Sequence, residues 1–347
     1  MTKLFPNPYL FFLLDTEGFL VWDYKNHKQY ILDDAHIAAL RQLPCDASQL
    51  APTVIENLRA GNLVSEQPHN AHAPWGWDVL SKIFHVGTQN VYQDIVKNKA
   101  DFSQHYLEKC ESLSSTAPAL FPDKCGKTIT LPSPNIPSLE ATAFWAALKK
   151  RKTCREFFSQ KMALETLSTL LYASFGLIHG TAFSEEKNIY GMRKASPASG
   201  GLHAEMIYVM VYRVADLIPG IYYYHPKNHT LLQMKLGEFE ETVIAANYQQ
   251  YYSRGLSCGI YLACQCDKVW WKYKHSRAFK VALLDMGHVS QTFLLTATAL
   301  GLHTWITAAF EDDKVHELLE ITECAESVLL FLGAGYGSDK TLPEEMA

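Results

Sequence analysis

The sequence predicts an α+β protein in which a small N-terminal module and a larger C-terminal domain are joined by a linker. Residues 1–70 contain short apolar runs followed by two helical segments, whereas residues 139–347 contain helical and β-type runs in mixed order. Between them, a Pro-rich stretch from Pro118 to Pro137 excludes regular helix. We therefore expect a module at 1–70, a linker with an extended arm at 71–138, and a domain at 139–347.

Composition narrows the possible functions. The 347 residues are 48% hydrophobic and 12% aromatic, which is enough for sizeable packed cores. The balance of 31 Lys and Arg against 36 Asp and Glu gives a net charge of −5, so no overall field attracts nucleic acid. No apolar run is long enough to cross a bilayer, and the first residues lack a signal-peptide cleavage pattern. We expect a cytoplasmic protein that binds neither membrane nor nucleic acid.

The N-terminal module combines strands and helices. Three short strands are predicted around turns, with the sequences FFLLD, FLVWDY and QYILD. Asp33 and Asp34 offer an N-cap for the helix AHIAALRQL, and a second helix, APTVIENLRAGNLV, carries Gly61 where a C-cap is expected. This order is typical of a winged-helix-like module, and equally of a simple small α+β domain.

The larger domain contains strong periodic segments. Helices are predicted for SLEATAFWAALKKR and for MALETLSTLLYASFGL, which stops at Gly176. Residues 277–302 form a long, mostly apolar helix that we expect to be buried in a core or a subunit interface. The runs EMIYVMVYRV, GIYYYH, CGIYLACQC and SVLLFLG are predicted strands.

The cysteines and histidines give little indication of a metal site. The eight cysteines are scattered, which favours reduced thiols. Cys264 and Cys266 lie in a predicted strand, where packing is a better interpretation than a metal or redox role. His225 and His229 flank Pro226 in a predicted turn, so they do not share a helix face. We predict no metal.

A basic cluster after the first helix of this domain is a candidate binding segment. Five cations lie within residues 149–155, a pattern that is usually a solvated surface. In an extended segment, however, Arg151, Thr153 and Arg155 project to one side. They then offer two guanidinium forks and a hydroxyl to a phosphate and an electron-rich ring. This pattern suggests a site for a phosphorylated cofactor.

A second candidate is the small-residue stretch that precedes the strand EMIYVMVYRV. It runs from Ala195 to Gly201 and includes Pro197, Ala198, Ser199 and Gly200. Such a stretch is an ordinary Gly-rich turn or a place where backbone amides approach a flat ligand closely. We do not expect the glycines of LLFLGAGYG to form a dinucleotide-binding turn, because too few residues follow in this sequence for the crossover helix and the second strand.

Taken in order, these motifs resemble those of the SagB-type dehydrogenases, FMN-dependent members of the nitroreductase-like superfamily that include azoline oxidases. The resemblance covers about residues 140–337. It rests on Arg151-x-x-x-Arg155-x-Phe157, Ser196 to Gly201, Pro219-Gly220-Ile221-Tyr222-x-Tyr224, Lys272-Tyr273, Asp285-x-Gly287-His288-x-x-Gln291, Gly301-Leu302 and Gly333-x-Gly335. The segment from Phe84 to Thr88 is also similar to a motif that precedes the domain in this family.

The resemblance implies a nitroreductase-like FMN-binding fold in a homodimer with FMN held between subunits. It implies that Arg151 and Thr153 hold the FMN phosphate and that Arg155 lies near the pyrimidine edge of the flavin. Residues Pro197 to Gly200, including Ala198 and Ser199, would line the isoalloxazine. The Thr307-Ala308 turn would present a backbone amide to flavin N5, where it tunes hydride acceptance.

The resemblance also implies a reaction. Lys272 and Tyr273 correspond to the Lys-Tyr pair of azoline oxidases, which remove a Cα proton while a hydride passes to the flavin. A lysine whose pKa is lowered by burial is a suitable base, and a tyrosine can orient it. The residues alone, WWKYK, also fit an amphipathic surface with packed aromatics and solvated lysines.

The expected function is FMN-dependent oxidation of thiazoline or oxazoline rings of a ribosomally made peptide to azoles, with oxygen reoxidising the flavin. The N-terminal module would bind the leader peptide or a partner cyclodehydratase, because winged-helix-like modules can accept an added strand. Two alternatives stay open. One is an NAD(P)H-dependent nitro or quinone reductase, and the other is an inactive scaffold subunit of a peptide-modifying complex.

Overall fold

A computed structural model describes residues 2–16, 18–68, 75–90, 104, 108, 143–179, 193–273, 277–322 and 325–339. The chain divides into two compact units. The first comprises the described residues within Met1–Val91, Trp270–Phe279 and Glu323–Ala325, and the second comprises the described remainder. The Pro-rich arm expected at 118–137 lies outside the described residues. The domain boundaries expected at 70 and 138 stay a prediction.

The first unit contains two three-stranded sheets, ordered β5-β1-β6 and β2-β3-β4, and three α-helices in its described part. The strands are β1 (Lys3–Pro6), β2 (Leu10–Asp15), β3 (Gly18–Asp23), β4 (Lys28–Leu32), β5 (Cys45–Asp46) and β6 (Val64–Ser65). The helices are α1 (Asp34–Arg41), α2 (Pro52–Ala60) and α3 (Val79–Gly87). Strands β2 to β4 and helices α1 and α2 lie where the sequence predicts them. The winged-helix assignment of this unit stays a prediction.

Hydrogen bonds to two aspartates fix a helix start and a turn in the first unit. The Asp33 carboxylate accepts a hydrogen bond from the His36 amide and caps α1 as expected. Asp23 is buried at the end of β3, where its carboxylate accepts from the side-chain amides of Asn7 (3.0 Å) and Asn26 (2.7 Å). These bonds satisfy the carboxylate away from water and fix the turn after β3.

The second unit is built on a six-stranded antiparallel sheet with the order β11-β12-β10-β7-β8-β9. Its strands are β7 (Glu205–Val211), β8 (Gly220–His225), β9 (Thr230–Leu236), β10 (Cys258–Gln265), β11 (His303–Thr307) and β12 (Glu326–Gly335). Its described α-helices are α4 (Ala143–Lys150), α5 (Leu164–Phe175), α6 (Glu240–Ala246), α7 (Cys266–Lys272, which continues into the first unit), α8 (Arg277–Ala299) and α9 (Asp312–Leu319).

The central strands β7 and β10 of the sheet are buried on both faces. Tyr261 and Phe331 meet edge to face at 4.9 Å on one side, within a core that includes residues of α6 and α9. Helices α5 and α8 pack against each other through Phe175 and Phe293, whose rings stack at 5.9 Å and are fully buried. The long helix predicted at 277–302 is thus confirmed as buried along one side, and it ends at Ala299, just before Gly301 at φ +77°.

The predicted strands of this unit are confirmed as β7, β8, β10 and β12. The sequence did not predict β9 or β11 as strands. TLLQMKL of β9 lies at the sheet edge and mixes exposed leucines with polar residues, and β11 is a short strand of five residues at the other edge. None of the described helices is long and apolar enough to cross a membrane.

Close packing at Gly259 leads to a stability prediction. A Cβ atom at this position would lie 2.5 Å from Cζ of the buried Phe331 ring, so Gly259→Ala must displace an aromatic side chain. We expect a loss of about 1–3 kcal/mol in the free energy of unfolding, measured by urea denaturation. The double variant Gly259→Ala/Phe331→Leu should lose less than the sum of its single variants, whereas strict additivity would show that this contact is not the cause.

Candidate functional site

The basic segment leaves α4 and runs beside the edge strand β11. The Arg151 amide donates to the Ala147 carbonyl at 2.9 Å and closes the helix. Thr153 then forms a parallel bridge with Thr304 of β11, whose carbonyl accepts from the Cys154 amide at 2.8 Å. Arg151, Thr153 and Arg155 are all half-buried. Because successive residues of an extended chain point to opposite sides, these three share one side of it.

The opposite side of this segment is structural. Cys154 is buried, and its thiol donates to the carbonyls of Glu156 (3.2 Å) and Ser338 (3.4 Å). Burial raises the pKa of Cys154, which keeps the thiol protonated. Lys152 forms an ion pair with Asp339 at 2.9 Å. The basic cluster is therefore divided between packing contacts and a second set of side chains that can hold a ligand.

Arg155 is oriented by an aromatic ring. Its guanidinium carbon lies 5.5 Å from the ring centroid of Tyr252, and that ring meets Trp305 at 6.1 Å. A planar guanidinium stacked on an aromatic face keeps its N–H groups pointing outward in a fixed plane. The sequence alone did not reveal Tyr252, because nothing in the local pattern links it to a residue almost a hundred positions earlier.

The Thr307-Ala308 turn follows β11 and is braced by Gln250. The Thr307 hydroxyl donates to Oε1 of Gln250 (3.1 Å) and accepts from the Ala309 amide (3.0 Å). The amide group of Gln250 in turn donates to the Ala309 carbonyl at 2.8 Å. Ala308 is exposed at the tip of the turn. Gln250 is a second functional candidate that the sequence did not reveal.

The small-residue stretch forms a loop with a left-handed backbone. Ser199–Gly201 make a short 3₁₀ turn in which Gly200 has φ +59°, and Gly201 follows at φ +67°. Both values favour glycine over residues with a Cβ atom. Pro197 is exposed, and Ala198 and Ser199 are half-buried. The loop therefore has the backbone that close approach of a flat ligand requires.

Helix α8 holds this loop in place. Asp285 accepts from the backbone amide of Ser199 at 2.9 Å and from its hydroxyl at 3.1 Å. The Ser196 hydroxyl is hydrogen-bonded to that of Thr292 at 2.6 Å. Asp285 is one of the residues that carried the family resemblance, and the structure gives it a role as the anchor of the loop.

Strand register brings the loop and the turn to the same end of the sheet. Glu205, which begins β7, is opposite Cys264, and Cys264 is opposite Ser327 near the start of β12. Thr307 is opposite Phe331, and the antiparallel chain beyond it continues toward that same end of β12. Three strand spacings, about 14 Å, separate β7 from β11.

We name four residues the loop-base cluster. Lys194 precedes the loop, His203 and Glu205 follow it, and Lys268 lies on α7. Nζ of Lys194 lies 2.6 Å from Oε1 of Glu205, and Nζ of Lys268 donates to the His203 carbonyl at 3.0 Å. Burial by itself would raise the pKa of Glu205, but its contacts with His203 and Lys194 outweigh burial and lower the pKa to about 2. Burial also lowers the pKa of Lys268.

Lys272 and Tyr273 lie in the first unit, among aromatic side chains. Nε1 of Trp77 donates to the Tyr273 carbonyl at 2.8 Å, and the ring of Trp77 meets that of Trp270 at 5.5 Å. A Cβ atom at Gly76 would lie 2.2 Å from the Trp270 indole, so the chain needs glycine there. This packing fixes the backbone that carries the Lys-Tyr pair.

A base desolvated by burial would have a buried side chain, but the side chain of Lys272 is exposed. Lys272 ends α7 and is exposed, with its Nζ 5.7 Å from the centroid of the half-buried Tyr273 ring. The expectation of burial at this position is wrong because Lys272 follows the last buried turn of the helix. Any desolvation of its amine must come from outside the described residues of this chain.

The remaining sequence candidates have structural roles. Cys264 and Cys266 are buried free thiols, as the packing interpretation predicts. The contact with Cys266, together with burial, raises the pKa of Cys264. His229 lies in the predicted turn, and its two ring nitrogens are 2.8 Å from the hydroxyls of Ser168 and Tyr224.

The sequence that contains these site residues also identifies the family of the chain. The nitroreductase family profile matches residues 148–336, which is more than half of the chain. The chain belongs to the nitroreductase family. The nitroreductase-like α+β fold expected from the sequence is confirmed.

Individual relatives extend the similarity of this nitroreductase-family chain. It is 28% identical over 188 residues to a protein of Methanocaldococcus jannaschii named as a nitroreductase, covering 54% of this chain and 89% of that protein. It is 21% identical over 307 residues to the trifolitoxin-processing protein TfxB of Rhizobium leguminosarum bv. trifolii, covering 86% and 79%.

A solved structure has the same fold. One chain of the E. coli microcin synthetase McbBCD complex, solved with truncated pro-MccB17 bound, superposes with a TM-score of 0.55 at 16% identity. The superposition covers 75% of this nitroreductase-family chain and 92% of the microcin synthetase chain.

The loop-base cluster leads to a prediction about acid stability. Folding lowers the pKa of Glu205 from its ordinary value of 4.5 to about 2. The stabilising contribution of the charged carboxylate is therefore present above pH 4.5 and lost as pH falls toward 2. This loss corresponds to about 3 kcal/mol in the free energy of unfolding. Urea denaturation between pH 5 and pH 2 should show a steeper decline for the wild type than for Lys194→Met/Glu205→Gln. Equal slopes would contradict the assignment.

Proposed function

We propose that this protein is an FMN-dependent dehydrogenase of the SagB type, which oxidises thiazoline or oxazoline rings of a ribosomally made peptide to thiazoles or oxazoles. The observation that carries the proposal is the half-buried side of the segment 151–155, held against β11 by the Thr153–Thr304 bridge. It combines the guanidinium groups and the hydroxyl that a phosphorylated cofactor requires.

The residues present fit the phosphate end of FMN. Arg151 and Thr153 would hold the phosphate, because a guanidinium fork and a hydroxyl donate directly to phosphate oxygens. Arg155, kept in plane by Tyr252, would lie at the pyrimidine edge of the flavin and favour negative charge there.

The residues also fit the ring end. The loop Pro197–Gly200 would line the isoalloxazine, since its left-handed glycine backbone leaves room for a flat ring. The Thr307-Ala308 turn, held by Gln250, would direct a backbone amide toward N5. When bound, FMN supplies the atom that accepts the hydride.

A peptide substrate is supported by the extent of the similarity. The family profile matches residues 148–336, whereas the alignment with TfxB spans 307 residues and therefore extends beyond the matched range. The name of TfxB describes trifolitoxin processing, and the microcin synthetase structure contains truncated pro-MccB17. By analogy, we propose that this chain acts on a peptide within a modifying complex that includes a cyclodehydratase.

Lys272 would act as the base. Aromatising an azoline ring removes a proton from Cα together with a hydride, and Nζ of Lys272 would take the proton while Tyr273 orients it. Because Lys272 is exposed, the bound peptide or a second subunit would have to exclude water from it. This requirement is consistent with the proposed homodimer and with a role of the N-terminal unit in binding a leader peptide or partner.

A second candidate function is NAD(P)H-dependent reduction of a nitro compound or quinone, favoured by the 28% identity to a protein named as a nitroreductase. The two functions differ in what reduces the flavin. Rapid bleaching of the flavin absorbance by NADPH, without oxidation of an azoline peptide, would select the reductase. Aerobic conversion of azoline to azole without a nicotinamide would select the dehydrogenase.

Arg151 provides a direct test of flavin binding. The purified protein should show a flavin absorbance spectrum, and Arg151→Ala should weaken FMN binding by about 10- to 100-fold, since a charge-assisted hydrogen bond is lost. Lys152→Ala is the matched control, because Lys152 pairs with Asp339 and should leave the affinity unchanged. Protein that takes up no FMN would refute the proposal.

Lys272 provides the test of chemistry. Lys272→Ala should lower azoline oxidation by about 10² or more while FMN content stays at the wild-type level, because only the base is removed. Lys227→Ala, an exposed lysine in the β8–β9 turn, serves as the control. Mass spectrometry would follow the loss of two hydrogens per ring. Unchanged turnover in Lys272→Ala would exclude Lys272 as the base, and a wild type without turnover would favour the scaffold alternative.

A further inference from the structure

A buried ion pair brackets the small-residue loop. Lys194 precedes the loop and Glu205 follows it, and their side chains are only 3% and 1% exposed. Their charged atoms are 2.6 Å apart, so the pair closes the base of the loop across eleven positions of sequence. Replacing a buried ion pair by apolar residues is often neutral or stabilising, so its presence suggests that it specifies one local structure.

The backbone at the base of the loop is held in an unfavourable conformation. His203 has φ +47°, a left-handed value that a residue with a Cβ atom adopts only where its surroundings impose it. Its buried Nδ1 lies 3.6 Å from Oε1 of Glu205, and its carbonyl accepts from Nζ of Lys268. Glu205 and Lys268 thus both contact His203 and hold it in place.

The loop itself is held by a separate set of contacts with helix α8. Asp285 holds the amide and hydroxyl of Ser199, and the hydroxyl of Thr292 meets that of Ser196. The segment between Lys194 and Glu205 therefore has ties at its base and along α8. All of these ties come from the chain itself and require no ligand.

We propose that the loop-base cluster is a positioning device that keeps the loop 195–201 in its flavin-binding shape before FMN arrives. The inference rests on the proposed function, because it assigns the loop to the flavin. Its physical basis is preorganisation. A loop that is already ordered does not spend binding free energy on losing conformational freedom, so the ligand binds more tightly.

The first test compares FMN affinities of flavin-free protein by fluorescence titration. The variant Lys194→Met/Glu205→Gln removes both charges and keeps similar side-chain volumes, which avoids leaving one buried charge unpaired. We expect its dissociation constant for FMN to rise about tenfold or more while circular dichroism shows a folded protein. Tyr208→Phe is the control, since it removes a hydrogen bond to Glu326 in the core on the other face of the sheet and should leave the affinity within about twofold.

Unchanged affinity in the double variant would overturn the proposal, as would an equal loss of affinity in Tyr208→Phe. The second test needs no variant and asks whether the loop is already ordered without FMN, which the proposal requires whether or not the double variant folds. Hydrogen exchange of the flavin-free wild type should show a protected Ser199 amide whose protection changes little when FMN is added. An amide that exchanges freely without FMN and becomes protected only with it would overturn the proposal.

These outcomes are separable from failure of the proposed function. A wild type that takes up no FMN refutes the function, and the assignment of the cluster to flavin binding falls with it. A wild type that binds FMN, with a double variant that binds it equally well, leaves the function intact and removes only the positioning role.

Discussion

The pairing of β10 with β7 on one side and β12 on the other is the constraint on which the second unit depends. β10 is buried along almost its whole length, and a slip of one residue would move its side chains to the opposite face of the sheet. The same pairing places Glu205 at the start of β7 and, through β12, sets the level of Thr307 on β11. The geometry of the candidate site is therefore a consequence of strand register.

Much of this framework could be predicted from the sequence because it is encoded locally. The cap at Asp33, the stop at Gly176 and the apolar length of α8 each depend on residues within a few positions. Strand β9 was missed for the opposite reason. Its leucines are partly exposed, and its pairing comes from the hairpin with β8 rather than from a hydrophobic pattern of its own.

The site was predictable only in its outline. The arginines of the basic segment and the glycines of the loop are recognisable because each has a local chemical meaning, namely anion binding or a left-handed backbone. The groups that hold them are distant in sequence. Asp285 reaches Ser199 across 86 positions, and Gln250 reaches Thr307 across 57. Single-sequence patterns carry no information on such pairs, so Gln250 and Tyr252 emerged only from the structure.

The lysines of α7 show how burial and availability oppose each other. The resemblance suggested a lysine whose pKa is lowered by burial as the base at position 272, and the structure has such a lysine a full turn earlier. Lys268 is the residue whose pKa burial lowers, but its Nζ donates to the His203 carbonyl and is thereby committed to the loop base. Lys272, at the end of the helix, is exposed. A lysine that is desolvated by the fold is also held by it, because a buried ammonium group requires partners. A lysine that is to accept a proton from a substrate is better placed at an exposed helix end, where the substrate itself can remove the water.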